Sequence, residues 1–273
     1  MNTSVDTPLE GLLKNGVVHI PVTSSFVQLT KDLDVAWAEF VSQDKQHKDL
    51  HVFANGMGYE YRGVNARDYK ETFHVKAGYK LPRKHSTIDL LFIETAKSVL
   101  IDSVPLVADF AESLSEIAGR DMRAFVTAHT DQWLSRSLNY PPRTEEQVNA
   151  GENVLALRHI DKGLTFHIAE TDPGLMVLWN GEWIPVEHTE GFIHGYGGML
   201  TQYYTKGAVK ALCHEVLTNP VTQLKGRRSH VLFIDFGNAH YNKSKYGPTQ
   251  DNFPCGENYN MPPEEFNSYF IET

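Results

Sequence analysis

A rhythm of short apolar segments between Val154 and Phe236 constrains this chain more than any other feature. Val154–Asp161, Thr165–Ala169, Leu175–Trp179, Glu182–Val186, Gly191–Tyr196, Val209–Val216 and Ser229–Phe236 each read as a strand, rich in β-branched and aromatic residues and recurring at roughly ten-residue spacing. Asn180-Gly181 stands between Leu-Met-Val-Leu-Trp and Glu-Trp-Ile-Pro-Val. That dipeptide is a hairpin signal, because the tightest loops need positive φ at both central residues. Strands this short and this frequent predict a sandwich or a barrel.

The part before the strands reads differently. Lys31–Val41 places Leu33, Ala36, Trp37, Phe40 and Val41 on one helical face. Ile88–Leu100 and Leu106–Ala118 carry a second stripe, divided near Pro105 and stopped at Gly119. Gln43–Leu50 and Thr144–Gly151 are polar and read as loops. Tyr59–Val64 and Asp68–Val75 read as strands, and a further strand ends at Tyr140 because Pro141-Pro142 cannot continue a ladder. No linker or repeat interrupts the sequence, so residues 1–273 are expected to form one domain. Its helix-rich part spans 1–120, its strand-rich core about 121–236, and a polar cover 237–273.

A formal charge of −9 leaves no basic footprint for nucleic acid or an anionic membrane. No apolar run has the length of a membrane span, and Met1–Glu10 lacks a signal-peptide core. The two cysteines, Cys213 and Cys255, lie far apart and point to a reducing, cytoplasmic setting without a disulfide framework.

The chemistry-bearing residues lie in the strands. On an extended chain, His159 and Asp161 project to one face, and His214 on a later strand is a candidate third ligand. Two imidazoles and a carboxylate with open positions beside them suit non-haem Fe(II). His129-Thr130-Asp131 repeats the His-x-Asp pattern, but its surroundings read as helical. There the two side chains would point about 200° apart and could not chelate one ion. The other histidines (His167, His188, His194, His230, His240) read as ordinary polar residues, and Trp179, Trp183, Tyr196, Tyr203 and Tyr204 as core or rim.

The ordered set Leu157-Arg158-His159-Ile160-Asp161, Gly174-Leu175, Asn180-Gly181-Glu182-Trp183-Ile184-Pro185-Val186, Gly197-Gly198-Met199-Leu200, Cys213-His214-Glu215-Val216 and Arg227-Arg228-Ser229 resembles the isopenicillin N synthase-like family of Fe(II)/2-oxoglutarate-dependent dioxygenases. Tyr140-Pro141 resembles the family's Tyr-Pro. Upstream, Gly58-Tyr59 with Asp68-Tyr69-Lys70-Glu71-Thr72-Phe73 and Lys14-Asn15-Gly16-Val17-Val18 extend the match from about residue 12 to about 236. The chain departs in three places. The interval from His214 to Arg227 is longer than usual, with Thr218-Asn219-Pro220-Val221 read as a longer hairpin turn. The glycine-rich turn lacks an aspartate, and Glu215 follows His214 where the family has arginine.

The resemblance implies a mainly β fold with flanking helices, built on a double-stranded β-helix (jelly-roll, cupin-like) core. It implies His159, Asp161 and His214 as iron ligands. It implies Arg227 as the partner of the distal carboxylate of 2-oxoglutarate, with Ser229 and Tyr140 assisting and Arg228 as the alternative. The activity implied is O2-dependent oxidation of an unactivated C–H bond, hydroxylation by default, with desaturation or cyclisation as variants and succinate and CO2 as co-products. Two rival readings are an oxidase that does not use 2-oxoglutarate and a non-catalytic jelly roll that binds metal or ligand. The strands around Tyr61, Arg62, Lys70, Phe73 and His74 border the family's pocket and point to a polar or acidic small-molecule substrate.

Overall fold

The computed structural model describes residues 7–62, 69–149, 153–236, 239–241, 264, 268 and 270–272. Helix α1 (Pro8–Asn15) is opened by a Thr7–Glu10 capping box and closed by Gly16 at φ 74°. Strand β1 (Val18–Pro21) follows. Helix α2 (Ser24–Val41) starts about two turns before the expected Lys31, because Thr23 caps the amide of Phe26. The expected loop after it contains a four-residue helix α3 (Lys45–Lys48), capped by Asp44, and a 3-10 turn over Asp49–His51.

Strands β2 (Gly58–Arg62) and β3 (Lys70–Val75) precede α4 (Thr87–Asp102), α5 (Val104–Ser113), α6 (Ser115–Ala118) and α7 (Met122–Thr127). Pro105 lies in the first turn of α5, where its missing N–H is not needed. The chain then enters β4 (Leu134–Tyr140), which stops before the two prolines as expected. The polar stretch after them holds a short helix α8 (Glu145–Asn149). The remaining elements are β5 (Val154–Ile160), β6 (Leu164–Glu170), β7 (Leu175–Trp179), β8 (Glu182–Pro185), β9 (Phe192–Gly197), α9 (Met199–Tyr204), β10 (Cys213–Leu217), α10 (Pro220–Lys225), β11 (Arg227–Ile234), β12 (Ala239–Tyr241) and β13 (Phe270–Glu272). Most of the expected cover over 237–273 lies outside the described residues.

Two antiparallel sheets face each other. The larger has seven strands in the order β1-β9-β6-β11-β4-β3-β2, and the smaller has four in the order β5-β10-β7-β8. Asn180 and Gly181 close the β7–β8 hairpin with φ of 51° and 86°, the double positive φ that their sequence predicts.

Alternation along each strand of the large sheet separates two cores. On β11 and β4, Leu138, Tyr140 and Val231 join Leu155, Leu175, Val177, Val216 and Tyr196 between the sheets. Leu232, Ile234, Phe73 and Phe166 face the other way and pack with Trp37, Phe40 and Phe92 from the helices. The helices thus seal one side of the large sheet, and the small sheet covers the other. The described β10 begins at Cys213, so Val209–Leu212 is not strand as expected. Cys213 is disulfide-bonded, which corrects the expectation of unpaired cysteines, and its partner lies outside the described residues. No helix among the described residues is long and apolar enough to cross a membrane.

Candidate metal centre and its buried arginine

Register brings the two imidazoles together. His214 on β10 is paired directly with His159 on β5, and their rings lie 4.3 Å apart between centroids. Asp161 follows the last residue of β5. Its Oδ1 is 3.6 Å from His159 Nε2 and its Oδ2 is 3.6 Å from His214 Nε2. One ligand atom from each of the three lies within 4.8 Å of the others.

The tautomers are set by the backbone. His159 Nδ1 donates to the Leu157 carbonyl at 2.7 Å, and His214 Nδ1 to the Leu212 carbonyl at 3.2 Å. Both Nε2 lone pairs are thereby turned toward Asp161, the arrangement that orients metal-bound histidines. Burial, reinforced by the neighbouring His159, pushes His214 down to about 3, so it is a neutral imidazole at ordinary pH. Burial alone would raise Asp161. The two imidazoles, the Thr165 hydroxyl at 2.7 Å and the more distant Arg136 outweigh it and hold the carboxylate ionised. Neutral imidazoles and an anionic carboxylate are the forms a divalent ion requires. The donor set therefore fits a 2-His-1-carboxylate iron site.

The turn after Asp161 is clamped by α9. Gly198 and Met199 donate their amides to the carbonyls of Gly163 and Asp161 at 2.6 and 2.9 Å. A side chain at position 198 would run into those carbonyls. The missing aspartate of that turn leaves this clamp untouched.

At the other end of the interior, β11 turns its two arginines to opposite faces. Arg227 points between the sheets with its side chain fully withdrawn from solvent. Arg228 points outward and forms a two-pronged ion pair with Asp34 on α2, at 2.8 Å for each contact. The residues between β10 and β11 form helix α10, capped by Asn219, rather than a longer hairpin turn. Gly226 (φ 77°) returns the chain to the sheet, where a Cβ would lie 2.6 Å from the Tyr140 carbonyl. Tyr140 is the strand partner of Arg227, with its ring 5.8 Å from the guanidinium. Ser229 lies two residues along on the same face, almost fully buried.

Arg227 already has partners within the chain. Its Nε donates to the Asp172 carbonyl at 2.9 Å, and its Nη2 to the carboxylate of Glu170. Its Nη1 is buried with no partner. Burial would raise Glu170, but Arg227 and the His167 hydrogen bond hold it down at about 2. His167 donates from Nδ1 to Glu170 at 3.0 Å and meets the Tyr196 hydroxyl through Nε2 at 3.1 Å. That hydroxyl lies 3.3 Å from Asp161 Oδ2 and 3.1 Å from His214 Nε2. A polar chain thus runs from Arg227 through Glu170, His167 and Tyr196 to Asp161 and His214. Read from sequence alone, His167 is an ordinary polar residue and Tyr196 core. The signal available was their strand alternation: both lie on the same inward face as Thr165, as the register of β6 and β9 makes explicit.

On the opposite side of the interior stands Arg136. Its Nε is buried without a partner, and the guanidinium lies 4.5 Å from the Phe233 ring centroid. His74 is its partner in register. Lys70, Thr72 and His74 share its face of the sheet, whereas Phe73 packs in the helix-side core and Tyr61 is about half exposed. His129 and Asp131 flank and enter a 3-10 turn on the surface and are not among the ligand clusters of the described residues.

No family model matches the chain, and no curated protein sequence matches it. Solved structures do. Full-length Neurospora crassa T7H, in complex with alpha-KG and 5-formyluracil, matches with a TM-score of 0.72 and 19% identity over 97% of this chain and 85% of that one. The auxin-oxidation dioxygenase AtDAO1 of Arabidopsis thaliana, in a 2-oxoglutarate complex, matches with a TM-score of 0.66 and 18% identity, covering 84% and 86%. The rice auxin-oxidation dioxygenase gives 0.66 and 19%, covering 85% and 78%. The fold is the oxygenase jelly roll. At these identities the likeness concerns the fold, and the site must be argued from its own residues.

Proposed function

We propose that the protein is a non-haem Fe(II)/2-oxoglutarate-dependent oxygenase acting on a C–H bond of a small acidic molecule. The observation that carries the reading is the joint placement of two features in one interior. One is a preorganised His159–Asp161–His214 donor set, and the other is a buried arginine with an unsatisfied Nη1. His159, Asp161 and His214 hold the iron; Arg227, Ser229 and Tyr140 receive the distal carboxylate of 2-oxoglutarate. Bound together, these groups supply O2-dependent C–H oxidation, hydroxylation by default, with the oxo acid leaving as succinate and CO2.

The chain's own residues do the positioning. The carbonyls of Leu157 and Leu212 fix both imidazole tautomers. Thr165 and Tyr196 orient Asp161 through its Oδ2. Tyr196 keeps its proton, since burial and then the Asp161 charge push its phenol well above the usual range. It is a hydrogen-bond donor beside the ligands. Arg136, unpaired at Nε and close enough to Asp161 to affect its charge, is the anchor for a substrate carboxylate. T7H, whose structures hold thymine and 5-formyluracil, supports the small-molecule scale of the substrate.

The Glu170–Arg227 pair favours a second reading, an iron oxidase that needs no 2-oxoglutarate, because an internal carboxylate already neutralises the arginine. One experiment separates them. Fe(II) and 2-oxoglutarate are added anaerobically to the apo-protein, and the weak visible charge-transfer band of the chelated oxo acid is recorded. A band that vanishes in His159→Ala and weakens in Arg227→Ala is the expected result. Metal binding without a band, with O2 uptake independent of 2-oxoglutarate, would replace the first reading with the second.

A further inference from the structure

The helical layer carries a second cluster with the same donor chemistry as the first. We propose that His47, His51 and Asp89 form a structural Zn(II) site, independent of the metal centre between the sheets.

Asp89 stands in the first turn of α4 with its side chain fully buried, and the His51 side chain is fully buried beside it. His47 and His51 are four residues apart across α3 and the following 3-10 turn, a spacing that puts both on one side of a helical segment. One ligand atom from each residue lies within 4.8 Å of the other two. His47 Nε2 is 2.9 and 2.8 Å from the two Asp89 oxygens.

The orphan atom is His51 Nε2. It is buried, lies 3.4 Å from Asp89 Oδ2, and makes no hydrogen bond. Leaving a buried imidazole nitrogen unsatisfied is costly, so a partner is expected. A nitrogen and an oxygen each 2.0–2.1 Å from a tetrahedral zinc are about 3.3 Å apart, close to the observed separation. The His51 contact is longer than an ordinary hydrogen bond and suits a shared ion, whereas the His47–Asp89 contacts have hydrogen-bond length and would lengthen around it.

The outer contacts agree. His51 Nδ1 lies 2.9 Å from the Tyr79 hydroxyl, the kind of partner that turns the Nε2 lone pair toward a metal. The Ser86 amide donates to Asp89 at 2.7 Å and the Gln43 side chain at 3.2 Å. His47 is the ligand nearest solvent, with 22% of its side chain exposed, so water can complete a tetrahedron from that side. Two imidazole nitrogens, a carboxylate oxygen and a water make up a four-coordinate N/O set of the kind zinc accepts. The ion would tie Lys45–His51 to the start of α4, against the Phe40 and Phe73 rings that His51 touches.

The test is zinc stoichiometry of the chelator-stripped full chain, titrated against a chromophoric chelator, for wild type and three variants. Wild type should bind two equivalents. His214→Ala and His47→Gln should each bind one, and the double variant none. His47 was chosen because it is partly exposed on a four-residue helix, so its loss spares the core. As a second readout, Zn(II) should raise the thermal midpoint of His214→Ala but not of the double variant. Substituted Co(II) should give an intense four-coordinate visible spectrum in His214→Ala that is absent from the double variant. Failure of His214→Ala to bind zinc, or equal binding by His214→Ala and the double variant, would overturn the proposal. Neither result would bear on the iron site.

Discussion

The guanidinium of Arg227 and the carboxylate of Glu170 face each other with both side chains withdrawn from solvent. A distal carboxylate arriving at Arg227 finds Nη1 open and Nη2 taken. The internal pair therefore sets the affinity of the arginine for any incoming acid. Glu170→Gln keeps the shape and removes the charge. The apo-protein should lose roughly 3 kcal/mol, because breaking a buried ion pair leaves an uncompensated charge. The stabilisation by 2-oxoglutarate should grow, since the whole fork becomes available. Thermal shift with and without 2-oxoglutarate reads both effects. A variant whose ligand shift is no larger than that of wild type would show that Glu170 does not compete.

Arg228 supplies the matching control. Its partner is Asp34 on α2, and both side chains are partly exposed, at 33% and 23%. Arg228→Ala should cost about 1 kcal/mol or less, as a partly solvated pair does, and leave the 2-oxoglutarate band intact. Loss of the band would mean that the face of β11 is misassigned.

That His159, Asp161 and His214 gather in one place was legible, because it depends on local rules: i and i+2 on an extended chain, and a later strand with a histidine at a plausible position. Which of Arg227 and Arg228 faces the interior depends on where α10 ends and β11 begins; the Asn219 cap that helps set this lay in what read as a turn, and Gly226 lay beyond it. His47 and His51 were invisible for another reason. Each gains its place from a partner remote in sequence, and no spacing rule joins either to Asp89. Pro141-Pro142 and Asn180-Gly181, by contrast, acted through their own backbone geometry and ended β4 and closed β7–β8 where expected.

Acid should destabilise the fold early. Burial, then the Arg136, Lys70, Arg62 and Lys76 charges, push His74 down to about 2. Burial, then His19, push His194 down to about 3, with His167 and His188 adding to the effect and Glu170 opposing it. An unfolded histidine takes up its proton near pH 6.5 and these folded ones do not. The unfolded state therefore binds more protons between about pH 6.5 and 3, and stability falls as pH falls through that window. The slope is about 1.4 kcal/mol per pH unit for each fully titrating group. Glu170 adds to the loss below about pH 4.5, as its depressed carboxyl approaches protonation. Urea midpoints from pH 7 to 4 should show a steeper decline in wild type than in His74→Gln or His194→Gln. Equal slopes would remove these histidines from the acid response.

Arg136 is tested through substrate choice rather than stability. In a panel of acidic and neutral small molecules scored by coupled succinate formation, wild type should favour the acids. Arg136→Gln should lose roughly 10- to 100-fold in kcat/KM on them, the worth of one hydrogen bond to a charged group, and little on neutral compounds. A uniform loss across the panel would assign Arg136 to the architecture of the interior instead.

Tyr196 tests whether the polar chain between arginine and metal acts on the metal at all. Its hydroxyl touches Asp161, His214 and His167 at 3.3, 3.1 and 3.1 Å, yet it is not itself in the donor set. Once a metal occupies His214 Nε2, that nitrogen no longer accepts a hydrogen bond, and the Tyr196 proton is left to Asp161 and His167. The phenol then fixes which Asp161 oxygen remains free to coordinate. Tyr196→Phe preserves the ring in its fully buried place and deletes only this constraint. Fe(II) affinity should fall roughly 10-fold or more, the usual cost of losing a residue that orients a ligand. The thermal midpoint of the metal-free protein should move far less than in an Asp161 variant. Fe(II) titration followed by competition with Zn(II) measures both affinities. An unchanged affinity would confine Tyr196 to packing and would break the proposed connection between Arg227 and the metal centre.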